Sequence, residues 1–159
     1  MINKILMTIQ GQKKLLKELN FLKKEKRPKI ISSISIARSY GDLKENAEYH
    51  AAKEEQSFCE GRIREIEFKL SNAHVIDIKN LSKFKKIFFG ATVTVLHILS
   101  KNIYTYKIVG DDESNFKKKM ISINSPIAKS LIGKKKNDFL KVNTPSGKVK
   151  YQVLKIEYI

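Results

Sequence analysis

Apolar positions change their period once along this chain, near His74. Over residues 8–73 they recur every three or four positions, which is a helical pattern. Thr8 suits a helix N-cap, and Leu15, Leu19, Leu22, Ile30, Ile34 and Ala37 form a first seam. Pro28 falls inside that seam. It removes one backbone hydrogen bond and predicts a kink, after which the pattern resumes. Ser39-Tyr40-Gly41 predicts the stop, because glycine ends helices readily. A second helix is expected from Asp42, with Tyr49, Ala52, Cys59, Ile63, Ile66, Leu70 and Ala73 on its apolar side and polar Gln56 among them. Two long helices joined by two or three residues run antiparallel. About 33 residues at ~1.5 Å each make a hairpin roughly 50 Å long.

After His74 the period falls to two. Short strands are expected over 75–78, 90–96, 104–109 and 120–124, the third ending in the turn cluster Gly110-Asp111-Asp112. A short helix over 127–131 is announced by Ser125-Pro126 and closed by Gly133. A last hairpin pairs 138–142 with 148–158 around Pro145-Ser146-Gly147. The fold class is therefore α+β: an antiparallel α-helical coiled-coil hairpin followed by a mostly antiparallel sheet with one short helix. The expected division is 1–75 for the hairpin, 76–86 for a lysine-rich linker and 87–159 for the C-terminal domain.

Composition narrows the setting. Of 159 residues, 42% are hydrophobic and 30% charged, enough for a packed core together with long solvated helices. The 32 Lys and Arg against 16 Asp and Glu leave a net charge of +16, which favours polyanions or acidic protein surfaces. The excess is mostly lysine and is spread along the chain. Lysine, isoleucine and asparagine enrichment is also what AT-rich coding DNA produces without selection for binding. The single cysteine, Cys59, excludes a disulfide framework or a zinc set within one chain. Residues 1–10 hold no cleavable apolar core, and no apolar run approaches the length of a membrane span. A cytoplasmic protein is expected, with no membrane partner. No Gly-rich phosphate loop, hydrolase triad or nucleotide fingerprint is present.

The segment from Gly41 to Glu54 carries the candidate chemistry. Asp42 and Glu45 are three apart and can share a helical face at the hairpin turn. Two readings stand side by side. Paired carboxylates are hard oxygen ligands for an ion such as Mg²⁺, which often takes only one or two protein carboxylates and keeps several waters. The same Asp-x-x-Glu spacing resembles a capping box at a helix start. Arg38, Lys44 and Lys53 flank the tip, either solvating helix faces or holding RNA phosphates near the acids. His50 is by default a structural or solvated histidine, and Cys59 a core residue.

The run Gly41-Asp42-Leu43-Lys44-Glu45-Asn46-Ala47-Glu48-Tyr49 resembles the signature of the Gre transcript-cleavage factors. Ile87-Phe88-Phe89-Gly90-Ala91-Thr92-Val93, Ile108-Val109-Gly110-Asp111-Asp112-Glu113 and the stretch from Ser125-Pro126 to Gly133-Lys134 resemble the family's C-terminal motifs, so the likeness covers essentially the whole chain. It implies an FKBP-like C-terminal domain without prolyl isomerase activity, docked near the mouth of the secondary channel of bacterial RNA polymerase. It implies a coiled coil that passes through that channel to the nascent RNA 3′ end in backtracked complexes. Asp42 and Glu45 match the family's acidic pair, which shares an Mg²⁺ with the polymerase active site; no cofactor is bound alone. The factor is then no enzyme but a monomeric helper of the polymerase's own RNA hydrolysis. Arg38, Lys44, Tyr49 and Lys53 are the expected RNA or active-site contacts, although lysine at position 53 lacks arginine's bidentate fork. The diffuse lysine excess departs from the family and implies loose RNA or DNA affinity that falls with salt. Rival readings are an inhibitor that occupies the channel without stimulating cleavage and a helical hairpin that binds free RNA.

Overall fold

In a computed structural model of the chain, which describes residues 4–159, two compact units are present: Gln12–Ala73, and Lys4–Gly11 together with His74–Ile159. The first three residues of the expected hairpin segment lie outside the described residues.

The first unit is a helical hairpin. Its first arm holds α1 (Ile9–Phe21) and α2 (Arg27–Arg38); its second is α3 (Ala47–Ser71). Thr8 caps α1, its hydroxyl accepting from the Gly11 N–H at 3.0 Å. Pro28 does not break the first arm. Between α1 and α2 lies one π-helical turn, Leu22–Lys26, in which the Arg27 N–H donates to the Leu22 carbonyl. The reason is legible in the buried seam, which reads Leu15, Leu22, Ile30, Ala37: steps of seven, eight and seven. One residue too many for a heptad frame is absorbed by a wider turn, and Leu22 and Ile30 both stay inside. On α3, Ala52, Cys59 and Ile66 are buried at steps of seven with Ile63 between them, as expected of the seam. Leu19, Ile34, Tyr49 and Leu70 are half-buried. At ~1.5 Å per residue the first arm, Ile9 to Arg38, spans about 45 Å and the 25 residues of α3 about 38 Å, the second helix starting later than Asp42.

Ion pairs stitch the two arms on the solvent side. Arg62 forks onto Glu18 at 2.8 and 2.9 Å, Arg27 onto Glu60 at 2.7 and 2.9 Å, and Lys23 reaches Glu67 at 2.5 Å. The hydrogen bond from Arg62 holds the Glu18 carboxyl below the ordinary carboxylate range, against the smaller opposing effect of burial. A carboxylate with a lowered folded pKa stabilises fully above its unfolded value, near 4.5, and loses that contribution as pH falls through the lower folded value. We therefore expect the hairpin's thermal midpoint, read by far-ultraviolet circular dichroism, to fall between about pH 6 and about pH 3. Arg62→Gln should lower the hairpin's stability at neutral pH by about 1 kcal/mol or less, the group being partly exposed, and flatten that pH dependence of the midpoint.

The second unit contains two sheets. β1 (Ile5–Thr8) pairs with β2 (Ala73–Ile76). β3 (Thr92–His97), β4 (Ile103–Val109), β5 (Met120–Ser122), β6 (Phe139–Thr144) and β7 (Gly147–Glu157) form a five-stranded sheet in the order β5-β4-β3-β7-β6. All its pairings are antiparallel except β4 with β5. The β3–β7 register slips between Thr94 and Val95, a bulge that sharpens the sheet's twist and helps it curl. Val93, Val95, Ile108, Leu140, Val142 and Val153 point inward, and the short helix α4 (Pro126–Leu131) covers them with Ala128 and Leu131. Ser125 caps α4, accepting from the Ala128 N–H, with Pro126 at its first position. The expected fold class, a helical hairpin followed by a curled sheet with one short helix, is what forms.

Lys4–Gly11 groups with the C-terminal residues for a polar reason. The Glu113 carboxylate accepts the Thr8 hydroxyl, the Thr8 N–H at 3.1 Å and the Gly110 N–H at 3.2 Å. Gly110 is required there: a Cβ would sit 2.4 Å from the Leu6 carbonyl oxygen. The expected linker is partly ordered, with a 3₁₀ turn over Ile78–Leu81 capped by Asp77 and Ile78 buried. The Tyr158 hydroxyl donates to the Lys86 carbonyl at 2.6 Å and accepts from the Phe88 N–H at 3.0 Å. No helix among the described residues is long and apolar enough to cross a membrane.

Candidate functional site at the hairpin tip

The tip differs from its sequence expectation. α3 starts at Ala47, and residues 39–46 form a loop rather than a two- or three-residue turn. Gly41 adopts φ +105°, a left-handed conformation that costs little without a Cβ, and turns the chain out of α2. The helix cap is Asn46: its Oδ1 accepts from the Tyr49 N–H at 3.1 Å. Asp42 and Glu45 are therefore not a capping box, and they do not lie on one helical face. The competing signal was present in the sequence. Asparagine is as good an N-cap as aspartate, and Asn46 lies immediately before the stretch where the second seam begins at Tyr49.

Four hydrogen bonds of the Asp42, Asn46 and His50 side chains help hold the loop. Asp42 Oδ1 accepts from the Lys44 N–H at 2.9 Å, an Asx turn. His50 Nε2–H donates to the Lys44 carbonyl at 3.0 Å. Asn46 Nδ2 donates to the Ala37 carbonyl at 2.6 Å, joining the two arms, while its Oδ1 caps α3. The Tyr49 ring meets His50 edge-on at 5.7 Å between centroids. Asn46 and His50 are thus the positioning residues that sequence reasoning missed. For His50 no sequence signal marked the contact, which depends on how the loop folds back.

Removing Asn46 should be measurable. Asn46→Ala loses the cap and the cross-arm bond and is expected to cost about 1–2 kcal/mol of hairpin stability in thermal unfolding. Asn46→Ser keeps a capping oxygen and loses the amide donor to Ala37 without setting a carboxylate against that carbonyl, so it should cost less.

Asp42, Glu45 and Glu48, with Tyr40, line a shallow open concavity at the tip. Asp42 and Glu45 are exposed. Asp42 retains its second oxygen, and among the described residues no hydrogen bond or ion pair engages Glu45. No three His, Cys, Asp or Glu side chains among the described residues converge to hold a metal ion. Asp42 and Glu45 are hard oxygen donors of the kind a divalent cation takes, but two carboxylates are fewer ligands than such an ion needs and do not make a complete site by themselves.

The other expected contacts are placed as follows. Arg38 is the exposed last residue of α2, Lys44 is in the loop and Tyr49 is half-buried in the first turn of α3. Lys53 is exposed on α3, its Nζ donating to Gln56 Oε1 at 3.1 Å. His74 and His97 are far from the tip in sequence, and His97 Nδ1 accepts from the Ser100 N–H at 3.1 Å in a β-turn setting.

Two family models match the chain: "Transcription elongation factor, N-terminal" over residues 5–75 and "Transcription elongation factor, GreA/GreB, C-term" over residues 81–158. The chain is 61% identical over 158 residues to the transcription elongation factor GreA of Buchnera aphidicola subsp. Baizongia pistaciae, covering 99% of each. It is 55% identical over 158 residues to that of Yersinia pestis bv. Antiqua, covering 99% of this chain and 100% of the relative. Among solved structures it is similar to the GreA factor homolog 1 protein of Thermus thermophilus, at 25% identity and a TM-score of 0.45, covering 98% of this chain and 99% of that one.

Proposed function

Since the chain belongs to the GreA/GreB family of transcription elongation factors, we propose that it acts on RNA polymerase by bringing the tip carboxylates Asp42 and Glu45 to the polymerase active centre. The partner is bacterial RNA polymerase. The hairpin enters through the secondary channel, and the RNA cleaved is the 3′ end extruded by backtracking. The observation that supports this most is the tip itself: an ordered loop presenting two exposed acids, one of them engaged with nothing among the described residues.

The residues divide the work. Asp42 and Glu45 would contribute oxygens to a Mg²⁺ whose other ligands belong to the polymerase. The chemistry supplied by such a jointly held ion is activation of water for phosphodiester hydrolysis. Asn46 and His50 hold the loop so that the acids arrive preorganised, which reduces the ordering cost at the moment of binding. Arg38 and Lys53 supply positive charge beside the acids for RNA phosphates, and Tyr49 offers an aromatic face to a base. The protein is then a helper of hydrolysis rather than an enzyme by itself.

The test is a stalled, backtracked elongation complex to which the protein is added. Release of short 3′ RNA fragments, with none when polymerase is omitted, is the expected result. Binding to polymerase without fragment release would make the protein a channel occupant and sink the cleavage reading.

A further inference from the structure

The second unit carries a charged surface that the tip does not use. On the outer face of β6 and β7, Lys141 and Lys150 stand directly opposite one another in the antiparallel register. Like charges directly opposite across a strand pair destabilise a sheet, so this pair is a cost to the isolated fold. Two residues along the same face of β6 is Phe139, which is 52% exposed, and the Lys150 ammonium lies 5.0 Å from its ring centroid. From the α4 side, Lys129 and Lys134 line the same open depression. No acidic side chain lines it, and among the described residues none of these four lysines forms an ion pair. β6 is also an edge strand, open along one side.

We propose that this cradle of Lys129, Lys134, Lys141 and Lys150 around Phe139 is a binding site for single-stranded nucleic acid. Four ammonium groups without a carboxylate among them fit a phosphate backbone, since lysine acts as a point charge that needs no fixed geometry. The opposed pair loses its repulsion when a phosphate sits between the two ammonium groups. The exposed aromatic ring selects the single strand: an unpaired base can stack on it, whereas a duplex hides its base faces. An acidic protein surface would satisfy the lysines and leave the ring without a specific role. The inference rests on the second unit alone and is independent of how the tip works.

The experiment uses the full-length protein and fluorescence anisotropy of a labelled oligonucleotide of about 12 nucleotides, as RNA, as DNA of the same sequence and as duplex DNA. Four glutamines at Lys129, Lys134, Lys141 and Lys150 should weaken single-strand binding at least tenfold and lower the slope of log affinity against log salt by about 3, from roughly 0.7 per phosphate contact. Phe139→Ala should weaken it about tenfold with the salt slope unchanged. A charge-matched variant with glutamine at Lys13, Lys14, Lys17 and Lys24 on the hairpin is the control. Equal RNA and DNA affinity supports the site, because the chemistry is common to both strands. Equal losses in cradle and control variants would reduce the binding to diffuse charge and overturn the proposal. So would duplex DNA or polyglutamate binding as tightly as the single strand.

Discussion

Asp42→Asn and Glu45→Gln should each bind polymerase as the wild type does and stimulate cleavage of backtracked RNA at least about 100-fold less, the scale of losing one preorganised charge-stabilising group at a reacting centre. The structure makes this a clean comparison. Asparagine keeps an Oδ1 in place to accept the Lys44 N–H, so the Asx turn survives. Glu45 makes no described contact whose loss could be mistaken for a folding defect. Neither residue caps α3, which is the task of Asn46, so the helix start is untouched. Fragment release in the backtracked complex gives the readout, and competition for polymerase gives the binding control. A double variant that still cleaves at the wild-type rate would remove the acids from the chemistry.

The second large effect is in the seam. Ile66 is fully buried in the hairpin, at 0% exposure. Ile66→Ala should destabilise that unit by about 2–5 kcal/mol, the transfer cost of the lost methylenes plus the cavity they leave. Helical circular dichroism followed through thermal unfolding measures it. Ile31→Ala, on an exposed position of the first arm, is the control and should shift the midpoint little. Equal shifts in the two variants would mean that the seam is not where the hairpin's stability resides.

Much of this architecture was legible in the residue pattern because burial itself has the period of the element. Val93 and Val95 alternate into the sheet core, and Ala52, Cys59 and Ile66 recur at seven into the seam. The cap of α4 was legible because serine followed by proline has one local meaning. The start of α3 was not. Asp42 and Asn46 both satisfy the local rule for a cap, and the choice is made by a long-range bond, Asn46 to the Ala37 carbonyl across the turn. The π turn was also hidden, for proline announces an interruption without saying how the chain absorbs it. The Thr8 and Glu113 contact joins residues 105 positions apart, beyond any local pattern. Of the candidate site, the acids could be named from spacing and resemblance; Asn46 carried a cap signal that competed with Asp42, and the His50 contact depends on how the loop folds back.

The π turn of the first arm also bears on how the hairpin tolerates changes in length. Leu22 and Ile30 are separated by one residue more than a heptad, and the wider turn hides the surplus. A deletion of one residue within Lys23–Lys26 would convert that stretch to ordinary α-helix, keep every buried position facing its partner and leave the arm nearly as long as before. The same deletion between Ala52 and Cys59 finds no slack, and rotates everything on one side of it by about 100° off the seam. The two arms are thus unequal under insertion and deletion: one carries a spare residue that evolution or an engineer can remove, and the other is fixed in frame from the tip loop to its last turn.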